Sequence, residues 1–119
     1  MSSDLEFEIT VGGGCVPAGF YRATFEGVEA TEHEEFGPGL RFIWEVIGGE
    51  HAGEKATRIT SDKPTPKNAA GRMIAGLTGQ TLKPRVRIDL APSVGQEYLL
   101  QVEETPNGST RVSTVMPAA

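Results

Sequence analysis

Three arginines, Arg22, Arg41 and Arg58, each fall in a short run that alternates polar and apolar residues. If Tyr21 and Phe25, Phe42 and Trp44, and Ile59 point into a core, period-two alternation turns these arginines outward, with Ile43 between them. A guanidinium pairs with phosphate and stacks on a base, so a stripe of this kind has the chemistry of nucleic-acid binding. Lys63, Lys67, Lys83, Arg85 and Arg87 follow in loop-like sequence and would flank that face. Binders of single strands combine a positive groove with aromatic platforms. Phe20 and Phe36, at strand or loop edges, are the candidate platforms. Trp44 shares parity with Leu40, Phe42 and Val46, and Tyr98 with Leu100 and Val102, which predicts core positions for both. The competing reading is a plain solvated face on which the arginines pair with Glu26, Glu45 and their neighbours.

Charge is unevenly distributed along the chain. The net charge is −5, yet residues 1–54 hold two basic and eleven acidic residues, whereas residues 55–119 hold nine basic and five acidic. Within 55–87 there are eight basic residues and one acid, Asp62. Segregation on this scale is consistent with an electrostatic footprint.

Other chemistries find little support. "GRMIAGLT", residues 71–78, mimics a phosphate-binding loop, but Leu77 stands where the lysine belongs. "VGGGCVP" has no helix after it. His33 and His51 lie in acidic turns, and His33, Glu34 and Glu35 form at best an adventitious cation site. Cys15 is the only cysteine and has no basic activator beside it, so neither a disulfide nor a thiolate nucleophile is expected. No catalytic residue, cofactor or metal is predicted. The acidic start "MSSDLEFEI" lacks the pattern of a signal peptide, and no apolar run is long enough for a membrane helix. A cytoplasmic protein is the expectation.

These residues need elements to hold them. The 119 residues fit one domain. Residues 1–18 read as a flexible lead-in or an added edge strand over Glu6–Val11, and 19–117 as the domain. "FYRATFEGVEA" is a half-buried strand, with Gly27 as a bulge or bend. "EATEHEEFGPG" reads as a solvated hairpin connection, and "LRFIWEVI" and "KATRITS" as strands flanking the turn "GGEHAGE". "TPKNAAGRMIAGLTG" predicts a helix capped by Thr65, with Pro66 in the first turn, Gly79 at the stop, and Ala70, Met73, Ile74 and Leu77 as its apolar stripe. A short strand is possible at Val86–Ile88. "QEYLLQVEE" and "TRVSTVM" are strands around the turn "PNGS". The result is mainly β: five strands with one helix between the third and fourth, the order of an OB-fold Greek-key barrel, which binds through its second and third strands.

The quoted runs also resemble a known family. "VPAGFYRATF", "GLRFIWEVIGGEHAGEKATRI", "NAAGRMIAGLTGQTL" and "VGQEYLLQVEETPNGSTRVSTVMP", in that order, are similar to small phage-type OB-fold proteins of single-stranded-DNA binding and DNA replication. The resemblance covers most of residues 16–117 and lies in the order of the pieces rather than in any one of them. It implies a non-catalytic module for single-stranded DNA, with RNA second. It departs from many single-strand binders in ending "VMPAA", without an acidic recruitment tail. The alternative is an OB-fold interaction or assembly module that meets a protein partner or its own copies and has no nucleic-acid affinity.

Overall fold

The computed structural model describes residues 15–34, 37–80, 83 and 87–118. The expected edge strand at Glu6–Val11 lies outside them. Five strands, β1 (Gly19–His33), β2 (Gly37–Val46), β3 (Lys55–Ser61), β4 (Glu97–Glu104) and β5 (Thr110–Pro117), form one antiparallel sheet in the order β3-β2-β1-β4-β5. Among the described residues one helix, α1 (Ala69–Thr78), lies between β3 and β4, and a 3₁₀ turn (Ala91–Ser93) precedes β4. No helix among the described residues is long and apolar enough to cross a membrane.

β1 is the central strand because it serves two partners in succession. Gly19–Thr24 pair with β4, and Ala23–His33 pair with β2. The change of direction is made at Gly27, where the β1–β2 register shifts by one residue and φ is 142°. An extra residue there reverses the parity. Ala23 and Phe25 point inward before the bulge, and Val28 packs against the core after it. The acidic stretch expected to be a loop is mostly strand. β1 runs on to His33 and β2 begins at Gly37, so only residues 34–36 connect them. Backbone pairing outweighs the poor strand propensity of glutamate there.

The core follows the parity read from β2. Phe42, Trp44 and Val46 are buried, with Leu40 partly buried against them. Trp44 lies 5.5 Å from Phe25 and 6.4 Å from Phe42, centroid to centroid, and Tyr98 meets Phe25 edge-on at 6.4 Å. The Tyr98 hydroxyl donates to the Leu77 carbonyl at 2.7 Å, tying the last turn of α1 to β4. Ala70, Met73, Ile74 and Leu77 are all buried, as the stripe predicted.

The helix starts later than predicted. Asn68, not Thr65, is the N-cap. Its Oδ1 accepts from Gly71 N at 2.9 Å and from Thr65 N at 3.0 Å. Thr65 and Pro66 form a separate turn before it. Gly79 ends the helix in the left-handed region at φ 72°. Gly76, which lowers helix propensity, has a packing reason: a Cβ there would lie 2.3 Å from the Val115 carbonyl oxygen of β5. The short strand expected at Val86–Ile88 is not formed by Ile88, and residues 84–86 lie outside the described ones.

The two edge strands, β3 and β5, face each other without a backbone ladder among the described residues, so the sheet is open rather than a closed barrel. Side chains and a short stretch of chain join them instead. Val16 N donates to Lys55 O of β3 at 3.0 Å, while Thr110 Oγ1 of β5 donates to Val16 O at 2.9 Å. Further along, Arg58 Nη1 donates to Val112 O at 2.9 Å.

The bulge gives a direct test. Nothing lies within 4 Å of a Cβ built on Gly27, so the conformation, not crowding, excludes a side chain. Gly27→Ala is expected to lower unfolding free energy by about 1–3 kcal/mol in urea denaturation.

Candidate nucleic-acid interface

Cross-strand register orders the outer face. Glu29 of β1, Arg41 of β2 and Ile59 of β3 form one row, and Gly27, Ile43 and Thr57 the next. Thr24, Glu45 and Lys55 follow. On the other side of β1, Arg22 lies beside Leu99 and Met116, and Phe20 beside Gln101 and Thr114.

Arg58 is the main correction. It was expected outward, yet its relative exposure is 7%. It pairs across the ladder with inward-facing Phe42, which fixes its side of β3 and turns Ile59 outward at 58% exposure. The inward guanidinium supplies the donor that Val112 O lacks at an open sheet edge. Glu103 Oε2 stands 4.0 Å from it and also accepts from Arg111 Nε at 2.7 Å. Burial, then the neighbouring Arg111, pushes the Arg58 pKa below its ordinary value.

The three arginines therefore do not share a face. Arg22 pairs with Glu97 at 3.0 Å, and Arg41 with Glu29 at 3.5 Å. Lys55 binds Glu26 at 2.7 Å and reaches Glu45 at 3.5 Å. Arg22 and Arg41 are thus ion-paired, as the competing reading expects, but with Glu97 and Glu29, while Glu26 and Glu45 pair with Lys55. Arg41, Ile43 and Ile59 remain together on the β2–β3 face, Ile43 half-buried. Lys63 and Lys67 are exposed in the connection that continues from β3, and neither makes an ion pair among the described residues. Lys83 and Arg87 are exposed. Phe36, Arg85 and Glu35 lie outside the described residues. A groove of about 310 Å³ lies beside Ile59, lined by Thr31, Pro38, Gly39 and Ser61.

Three outward apolar residues were not singled out from sequence as a group: Phe20, Leu99 and Met116. The signal was available for Leu99, which shares parity with Glu97 and Gln101 on an otherwise polar side of β4. No group of three or more His, Cys, Asp or Glu among the described residues could hold a metal ion.

The chain matches no protein-family model, and no curated protein matches its sequence.

The Lys55–Glu26 pair gives a pH-dependent prediction. The hydrogen bond from Lys55 lowers the Glu26 pKa from its ordinary 4.5, and the same bond raises that of Lys55. A lowered carboxylate pKa stabilises the fold above pH 4.5 and loses that effect as pH falls through the folded value. Both groups are well exposed, so the effect is small, below about 1 kcal/mol. Lys55→Met is expected to lower the urea midpoint slightly at neutral pH. The difference from wild type should vanish once Glu26 is protonated in both proteins.

Proposed function

We propose that the chain is a non-catalytic module that binds single-stranded nucleic acid, with DNA as the preferred strand, on the outer face of β2 and β3. The carrying observation is the row in which Arg41 lies directly beside the exposed Ile59. That row leads along β3 into the connection bearing Lys63 and Lys67. Ile43 and Ile59 offer apolar contact to bases, Arg41 offers stacking and phosphate pairing, and the two lysines offer point charges for the backbone. The Arg41–Glu29 contact does not close the site, because an exposed pair at 3.5 Å is worth little and yields to a phosphate.

The strand order supports an OB-fold reading. A five-stranded Greek-key barrel opened at one seam has two edge strands facing each other and a helix between its third and fourth strands. Here the edges are β3 and β5, with Arg58 bridging them, and α1 has the corresponding place in the chain. The binding surface of that fold is centred on β2 and β3.

Fluorescence anisotropy of a labelled oligothymidine tests the proposal. Neutralising three phosphates, one each at Arg41, Lys63 and Lys67, should weaken binding about 20-fold between roughly 50 and 200 mM salt. Lys63→Glu/Lys67→Glu should remove most of that salt dependence along with most of the affinity, leaving the contribution of Arg41. Absence of binding at low salt, or binding indifferent to salt, would contradict the proposal.

A further inference from the structure

The outer face of β1, β4 and β5 carries an apolar patch that the proposed nucleic-acid surface does not use. Phe20 is 81% exposed, Met116 49% and Leu99 37%. Arg22 lies beside Leu99, and Leu99 beside Met116, in one row across three strands; Phe20 stands in the next row, opposite Gln101. Together they line a groove of about 350 Å³. An aromatic ring, a methionine and an arginine around a central apolar contact is the composition that protein interfaces favour.

We propose that this face is the interface of a two-fold symmetric homodimer. A two-fold interface uses the same patch on both copies, so the patch must contain its own complement. This one does, in shape and in charge. Phe20, which itself lines the groove, projects at 81% exposure, and Leu99 and Met116 offer an apolar surface that the ring of a second copy can meet. The patch also presents one cation and one anion, Arg22 and Glu97, 3.0 Å apart within the chain. A two-fold copy sets Arg22 of each chain against Glu97 of the other. Among the described residues this face has no unpaired cation comparable to Lys63 and Lys67, since Arg22 and Arg111 are both ion-paired, and the balanced charge favours a second copy over a polyanion. The three apolar residues alone cover less than the roughly 800 Å² per partner of a standard interface, so association is weak, in the micromolar range.

Sedimentation velocity over a concentration series tests this without any oligonucleotide, so its outcome is independent of the nucleic-acid reading. The wild-type mass should rise from 12.7 kDa toward twice that value. Phe20→Asp, and separately Met116→Lys, should stay monomeric at every concentration with unchanged far-ultraviolet circular dichroism. Arg22→Glu alone and Glu97→Arg alone should each be monomeric, since each sets like charges across the interface. Their mixture should dimerise, because both cross-chain pairs are then opposite in sign. A wild-type protein still monomeric at about 500 µM would overturn the proposal, since a micromolar dimer would be nearly saturated there. So would a folded Phe20→Asp protein that dimerises like wild type. A mixture that fails to dimerise would overturn the two-fold geometry. Loss of oligonucleotide binding in Phe20→Asp, with wild type strictly monomeric, would assign the groove to nucleic acid instead.

Discussion

The seam between β3 and β5 is the constraint on which the rest of the structure depends. A five-stranded sheet curled round one core brings its two edges together, and here they meet without a shared ladder among the described residues. Buried edge carbonyls still need donors. Three different contacts serve the seam. Val16 links Lys55 to Thr110, Arg58 reaches Val112 O, and α1 lies so close that Gly76 nearly touches Val115 O. The Arg58 contact is the costliest, because it places a charge at 7% exposure with only part of its hydrogen-bonding capacity used. Glu103, 4.0 Å away, offsets some of that cost.

This constraint also decides the outer surface. Drawing Arg58 inward forces Ile59 outward, so β3 presents an exposed apolar side chain beside Arg41 rather than a third arginine. The proposed binding face is therefore less basic and more apolar than a stripe of three arginines. The positive charge open to a ligand moves to the loop at Lys63 and Lys67. The bulge at Gly27 contributes from the other side. By bending β1 it lets one strand pair with β2 and β4 in succession, and this separates the β2–β3 face from the apolar patch at Phe20, Leu99 and Met116.

Much of this was legible in the sequence, for identifiable reasons. Strand parity in "LRFIWEVI" is strong because large apolar residues occupy every second position, and it placed Trp44 in the core. Gly27 stood out as a small residue inside a strand pattern, and Gly79 as a helix stop. β3 was misread because "KATRITS" holds one large apolar residue, Ile59, and a hydrophobic rule sends it inward. The true orientation is set by Phe42 across the ladder and by the need for a donor on β5, neither of which is local. The helix start was misplaced because Thr65 and Asn68 both suit a cap and each accepts two backbone N–H groups. Thr65 Oγ1 takes those of Lys67 and Asn68 in a separate turn, whereas Asn68 Oδ1 takes that of Gly71 in the first turn of the helix. The acidic hairpin hid strand continuation, since glutamates on a ladder read as a loop.

Equilibrium urea unfolding of Arg58→Ala tests the seam most directly. An outward surface arginine changes stability by no more than about 0.5 kcal/mol when truncated. An inward one that supplies Val112 O leaves an unpartnered buried carbonyl and an unfilled space, at a cost of roughly 2–4 kcal/mol. A loss in that larger range is the expected result. A midpoint indistinguishable from wild type would contradict the account and return Arg58 to the outer face.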